Sequence, residues 1–547
     1  GATTDQSFNV AVGDSALGTN VNGAKNTAIG FEALKTMNPA SDTDTYNVAL
    51  GYQAGLSVTT GTDNTIMGSF AGDALTSGIN NVAIGRSALT SEDAHGYNVA
   101  VGTYALLNQN AGQDAYNVAV GYAAGENITT GAFNTLIGGS AGDALTTGNT
   151  NTAVGYRALG AETLGDANVA IGTNALKTQN NTSDVDVYNV AIGHNAGQAV
   201  TTGVQNTIIG GLAGDAITTG QQNVIQGYFA GGGLTTGSFN TAIGTQALSV
   251  EDEHGMNTAV GYQALKVQNA EADAFNVAIG YQAGKAVTTG TETILIGGNA
   301  GLALTTGIRN VAIGHAALQN EDTTGYNVAI GNRALQNQNA GADAYNVAVG
   351  SNAGQSVTTG IRNTLIGGLA GDALAGGSHN VAIGMFALST EDTHGKNVAI
   401  GYSALLVQNA GADAYNVAIG YNAGEDVTTG TENVLIGGNA GDSLTSGSYN
   451  IAIGKNALQA EDAHGRNIAI GHAALEDQNA GADAYNIAIG YQAGKDISTG
   501  TENTIIGGLA GDALTTGGSN VAIGYAALSS EDTGGRNTAM GYRALNS

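Results

Sequence analysis

Runs of three apolar residues, bracketed by Asn on one side and Gly on the other, recur along the whole chain, as in Asn81-Val82-Ala83-Ile84-Gly85. The strings start at Asn9, Asn26, Asn47 and Asn64 and continue to Asn537, with Thr293 in the one place that lacks Asn, which makes 31 units. Starts lie 17 residues apart except where a unit is stretched to 19 or 21. Gly stands four places after every start, from Gly13 to Gly541, and Ala seven places after it, from Ala16 to Ala544. A 17-residue unit with one three-residue apolar run has no 3.6-residue periodicity and no room for a helix pair, so it predicts short strands joined by turns. Short strands at constant spacing stack as the rungs of a parallel β-solenoid, or β-roll, in which like residues fall into ladders.

Four unit types alternate, three of 17 residues and one of 19, giving a super-period of 70 that is visible in Asn276, Asn346, Asn416 and Asn486. Two cycles use a 21-residue fourth unit, and one carries an extra unit at 223–239 in which Gln226 interrupts the apolar run. No composition shift or linker breaks the array, so residues 1–547 read as one continuous solenoid of 31 rungs without caps, cut partway through a unit at each end. Uncapped ends are pairing templates, which predicts either a longer protein or subunits joined end to end into a filament. At about 4.8 Å per rung, 31 rungs predict a rod of roughly 150 Å.

The strand composition carries a prediction about assembly. Val-Ala-Ile has no polar alternation, and a strand that is apolar on both faces is covered on both faces. One face packs inside its own coil, and the chain has no helix or extra domain to cover the other. Association of identical chains about the long axis, as a homotrimer, supplies the cover. The following x-x-Ala-Leu or x-x-Ala-Gly segment, with Tyr, Gln, Arg, Asn and His at its variable places, is predicted to be a second strand facing water.

Composition narrows the function. Gly contributes 87 of 547 residues, Pro one, and Cys and Trp none, while 42% of the chain is apolar and only 11% charged, which argues against disorder. No segment has the apolar length of a membrane span, and residues 1–8 (GATTDQSF) do not read as a signal peptide. With 16 basic and 44 acidic residues the net charge is −28, and the basic residues are scattered singly, so neither nucleic acid nor anionic lipid is a predicted partner. Three chains would carry three times −28, a charge that keeps assemblies apart at low salt.

The Asn-Val-Ala-Ile-Gly string followed by x-x-Ala resembles the head repeats of trimeric autotransporter adhesins and, equally, repeats in bacteriophage tail fibres. The resemblance covers all 31 units. It implies a left-handed parallel β-roll wound as a trimer, with Asn81 to Gly85 and its equivalents as the inner strand and turn, in an extracellular fibre. The head unit of those adhesins is shorter, near fourteen residues, and their stalk heptads and membrane barrel have no counterpart in this sequence.

Candidate chemistry sits in the turns. Glu-Asp pairs recur in the third-type units (Glu92-Asp93, Glu251-Asp252, Glu321-Asp322, Glu391-Asp392, Glu461-Asp462, Glu531-Asp532), four of them followed by His95, His254, His394 or His464. They read as acid/base pairs, as divalent-cation ligands, or as solvated turns that keep the rod soluble; the last is the expectation, because neighbouring residues in a strand point apart. The loops SDTDTY (41–46) and SDVDVY (183–188) carry carboxylates at alternate places as Ca²⁺ loops do, but lack the central Gly and terminal Glu of an EF-hand. The Asn ladder is expected to hydrogen-bond along the stack and to the local turn. Tyr52, Tyr122, Tyr262, Tyr281, Tyr402, Tyr421 and Tyr491 read either as packing beside the turn or as a carbohydrate-stacking strip. The Thr-Thr-Gly turns (Thr59-Thr60-Gly61, Thr129-Thr130-Gly131, Thr428-Thr429-Gly430) raise an ice-binding alternative, but only half the unit types carry them. No residue is assigned a catalytic, cofactor-binding or metal role, with Ca²⁺ the one cofactor kept open. The expectation is a non-enzymatic structural protein, a trimeric tail-fibre or adhesin shaft with a cell-surface glycan or receptor as outside partner. The alternatives are a polysaccharide-binding or polysaccharide-degrading tailspike and a ligand-binding solenoid.

Overall fold

The computed structural model describes residues 8–183, 185–530 and 532–546. Residues 1–7 of the opening GATTDQSF, Asp184 of the 183–188 loop, Glu531 of the last Glu-Asp pair and the terminal Ser547 lie outside the described residues. The fold is all-β: a parallel β-solenoid of 31 turns, each with one three-residue strand, and no helix among the described residues. No helix is long and apolar enough to cross a membrane.

The chain divides into two compact units, Gly1–Phe275 and Asn276–Ser547. In the first, 15 three-residue strands run from Val10–Val12 to Thr258–Val260; in the second, 16 run from Val277–Ile279 to Thr538–Met540. Within each unit successive strands pair in parallel, like position to like position, as in Val82↔Val99 and Ile451↔Ile468. Units of 19 and 21 residues keep that register, with Val99↔Val118 and Val169↔Val190 in line. The added residues therefore leave the strand ladder untouched. In the first 21-residue unit they form a two-residue strand, Thr43–Asp44, paired with Gly23–Ala24; in the second they make a single bridge, Asp166 to Asp186.

Alternation along three residues sets inside and outside. The middle residue of each strand points into the coil, where Ala83, Ala100 and Ile66 are fully buried. The flanking Val82 and Ile84 point outward and stay partly exposed. Inside each coil four positions make a layer: the middle strand residue, the invariant Ala, the residue after it, and one three places further on. Successive layers read Ala49-Ala54-Gly55-Val58, Ile66-Ala71-Gly72-Leu75, Ala83-Ala88-Leu89-Glu92 and Ala100-Ala105-Leu106-Gln109. Volume is traded between positions: Gly55 leaves room that Ile66 fills, and a Cβ there would come within 2.9 Å of the Ile66 Cδ1 atom.

The x-x-Ala-Leu segment is not the second strand expected from its sequence. It is a run of turns in which Ser87 (φ 52°) and Leu89 (φ 54°) adopt left-handed backbone, as do their equivalents in the other turns. Alternating signs of φ curl the chain back within a few residues, which an extended strand cannot do. Its Ala and Leu face the core, so only the two variable residues reach the surface. Left-handed Leu costs about 1–2 kcal/mol; burying the side chain returns about 1.5–3 kcal/mol, so the strained conformation holds.

Candidate functional site

Three features of the turns could carry function: a buried carboxylate layer, two aromatic columns, and the outward face of the strand ladder.

The carboxylate layer corrects the expectation of a solvated turn. Counting eleven places from each Asn, Glu92 falls in the inward column of Val58 and Leu75, and it is fully buried, as are Glu162, Glu251, Glu321, Glu391 and Glu461. The adjacent Asp93, Asp392 and Asp462 are exposed, so the pairs divide between core and solvent. Glu92 Oε1 accepts the backbone N–H of His95 at 3.2 Å, and the same bond holds at Glu251 (3.3 Å), Glu391 (3.2 Å) and Glu461 (3.2 Å). At Glu321 the donor is the Thr324 N–H, 3.1 Å away. Glu162 is held more fully, by the N–H groups of Thr163, Leu164 and Gly165 and by the side-chain amides of Gln179 (2.9 Å) and Asn181 (3.1 Å). The next turn continues the polar layer with a buried Gln whose Oε1 accepts an Asn amide, as in Gln109 with Asn117 (2.7 Å) and Gln478 with Asn486 (2.6 Å).

Loss of water around these carboxylates disfavours their charge. Burial pushes Glu251 and Glu461 up to about 7, and raises Glu92, Glu321 and Glu391 as well. Between the unfolded carboxyl value, about 4.3, and the raised folded value, the native state binds more protons than the unfolded chain. Stability is then greatest below the lower value and is lost as pH rises through the upper one. Thermal unfolding in metal-free buffer should therefore give a higher midpoint at pH 5 than at pH 8, and Glu251→Gln with Glu461→Gln should flatten the dependence. A midpoint that falls on acidification across this range would overturn the assignment.

In the Asp-rich loops, Asp44 and Asp186 are engaged locally. Asp44 pairs with Lys25 at 2.6 Å and accepts the Tyr46 hydroxyl at 3.2 Å; Asp186 accepts the Tyr188 hydroxyl at 2.8 Å. In the Thr-Thr-Gly turns the first hydroxyl donates to a carbonyl of the next turn, Thr59 to Thr76 (3.1 Å) and Thr428 to Thr445 (3.1 Å), so these hydroxyls are engaged within the solenoid.

Aromatic side chains form two columns. Those after the Gly stack on neighbouring turns, Phe31 on Tyr52 (5.2 Å), Tyr402 on Tyr421 (5.5 Å) and His472 on Tyr491 (5.4 Å), while Tyr122 meets Tyr104 edge-on. Tyr262 and Tyr281 occupy the same place and are also exposed. The second column, just before the Asn, was not singled out from sequence: Tyr97 stacks on Tyr116 (4.9 Å), Tyr116 on Phe133 (5.7 Å), and Tyr326 on Tyr345 (4.9 Å). Its signal was present in the recurring Tyr that precedes Asn, as in Tyr116-Asn117 and Tyr345-Asn346. Cations join it, with Lys396 over Tyr415 and Arg466 over Tyr485.

Between the columns lies the outward strand face. Its second file, from Val12 through Ile84 and Ile279 to Met540, is aliphatic at every turn except Gln226. Ile137, Ile279 and Ile366 each expose about two-fifths of their surface. Broken only at Gln226 in the first unit and running through all 16 turns of the second, this file is a contiguous exposed apolar stripe of the kind that marks an interaction surface. No protein-family model and no curated protein sequence matches the chain.

Proposed function

We propose that the protein is a non-enzymatic structural component of an extracellular fibre, assembled as a homotrimer with the Val and Ile files of each chain turned toward a common axis. The observation that carries this reading is the outward strand face: one file aliphatic except at Gln226, a second file that mixes Val and Ile with Thr, and aromatics on both flanks, on a chain otherwise rich in carboxylates. Like levels of three identical chains present like residues to one another, so one set of contacts repeats at every turn. Its mechanism is mechanical: ladders of backbone hydrogen bonds stiffen the array, and repeated weak contacts with a cell-surface glycan or receptor add by avidity. This is the assembly that the resemblance to adhesin heads and tail fibres implies.

Ile313→Glu combined with Ile330→Glu places charge on the outward face of adjacent turns while leaving the inward Ala312 and Ala329 in place. Sedimentation velocity should show the multi-chain species of the parent shifting toward one chain, with the strand circular-dichroism signal kept. An unchanged sedimentation coefficient would remove this face from the interface.

A further inference from the structure

We propose that the third-type turns containing Glu92, Glu391 and Glu461 are binding sites for a borderline divalent transition ion such as Zn²⁺, each supplied by one chain. In these turns a Glu, the next Asp and the following His bring one donor atom each within 4.8 Å of one another: Glu92-Asp93-His95, Glu391-Asp392-His394 and Glu461-Asp462-His464. Carboxylates grouped on a surface are ordinary in a chain of this charge. These turns differ because one donor, the Glu, is enclosed and leaves a carboxylate oxygen without a partner, while the Asp beside it is exposed. Glu92, Glu391 and Glu461 are fully buried, yet the Oε2 of each has no hydrogen-bond partner. The Nδ1 atoms of His95 and His464 are likewise enclosed and unpartnered, facing the Oε1 of Glu92 and Glu461 at 3.5 and 3.9 Å, whereas the His394 Nδ1 lies 3.0 Å from the Thr393 hydroxyl, which an ion there would displace. A buried polar atom without a partner is unfavourable, and a metal ion would supply a partner to the carboxylate and the imidazole together.

The donor set selects the ion. One imidazole nitrogen and two carboxylates suit Zn²⁺, Co²⁺ or Ni²⁺, whereas Ca²⁺ takes six to eight oxygens. Reaching bond lengths of about 2.0–2.2 Å requires the exposed Asp and the half-buried His to turn toward the Glu. Water completes the coordination. The Glu-Asp-Thr-Thr turn at Glu321 has Thr324 where the others have His, and so serves as an internal control. The Glu251 turn has its His, and its Glu251 Oε2 and His254 Nδ1 are also unpartnered, but the His254 Nδ1 lies 4.0 Å from the carboxylate and its three donors do not come within 4.8 Å of one another, so it should bind more weakly.

The test is titration of the full chain, freed of metal by chelation, with Zn²⁺ alone by calorimetry, and with Co²⁺ alone by visible absorption. Expected are saturation at three tight sites per chain, a Co²⁺ spectrum with nitrogen and oxygen ligation, and a rise in melting temperature with Zn²⁺ that Ca²⁺ does not reproduce. The triple variant H95A/H394A/H464A, verified as folded by circular dichroism, should lose all three tight sites, and His→Gln at the same places should do the same. Absence of saturable binding, a stoichiometry unmoved by the His variants, or equal responses to Zn²⁺ and Ca²⁺ would each overturn the proposal, the last by showing general attraction to an acidic surface.

Discussion

Gly85→Ala should be among the most damaging single methyl additions in the first unit. Gly85 has φ +134°, and a Cβ there would lie 2.5 Å from the backbone carbonyl of Gly102 in the next turn. The left-handed strain is worth about 1–3 kcal/mol and the overpacking about 1–3 kcal/mol, and neither can relax, because the obstructing atoms belong to the ladder itself: Gly85 N–H already donates to the Met67 carbonyl at 2.7 Å. A solenoid turn touches only its neighbours, so the damage should be local. Hydrogen exchange should accelerate in the turns around 64–102 and stay at parent rates near residue 200. Gly411→Ala is the control. A Cβ at Gly411 meets nothing within 4 Å and its φ is not in the left-handed range, so this change should be neutral or stabilising by about 0.4–1 kcal/mol. Equal effects at the two glycines would show that the Gly ladder is not close-packed.

The second large effect is expected at the Asn ladder. Asn433 is fully buried; its Nδ2 donates to the Gly447 carbonyl at 2.9 Å, its Oδ1 accepts the Asn450 N–H at 2.9 Å, and its own N–H donates to the Asn416 Oδ1 at 2.8 Å. Asn433→Ala leaves a buried carbonyl and a buried N–H unpaired, each worth about 1–3 kcal/mol, for a loss of about 2–6 kcal/mol in denaturant unfolding. Asn433→Asp separates the two bonds: the carboxylate still accepts the Asn450 N–H but opposes the Gly447 carbonyl and carries buried charge. Its folded pKa would be raised, so the variant should be weakest at pH 8 and recover as pH falls. Thr293 shows how far a substitute goes, since its hydroxyl donates to the Asn276 Oδ1 at 2.8 Å but offers the next turn no amide oxygen. A loss below about 1 kcal/mol in Asn433→Ala would assign the ladder to packing rather than to hydrogen bonding.

The period, the three-residue strands, and an Asn that bonds both to its stack and to its own turn were all legible in the sequence, because each is a residue type at a fixed count, whereas the invariant Ala, expected in a strand facing water, proved to face the core. The fate of the Glu-Asp pairs was not read from residue type: Glu92 and Asp93 are alike in charge, and only their count from Asn81 separates core from solvent. Counting eleven places onward puts Glu92 in the column of Val58, Leu75 and Gln109, so the information was present as position rather than as chemistry. The turns at Ser87 and Leu89 were hidden for another reason. Left-handed backbone is signalled by Gly, and at Gly55 and Gly72 it is, but at Leu89 the same conformation is held by the core contacts of the side chain, which local propensity does not reveal. The aromatic column of Tyr97, Tyr116 and Phe133 straddles the boundary between one unit and the next, which is why it emerges only once adjacent turns are stacked.

Every turn of both units but the one at Gln226 leaves an aliphatic side chain in the second outward file, beside a file of Val, Ile or Thr, and the central claim is that other copies of the chain cover this face. Native mass by multi-angle light scattering at physiological salt tests that claim most directly, read against a chain of 54.1 kDa. The account predicts one species near three times that value, unchanged on dilution through the micromolar range. A single-chain mass in the folded protein would contradict it, leaving the Val and Ile files as a solvated surface.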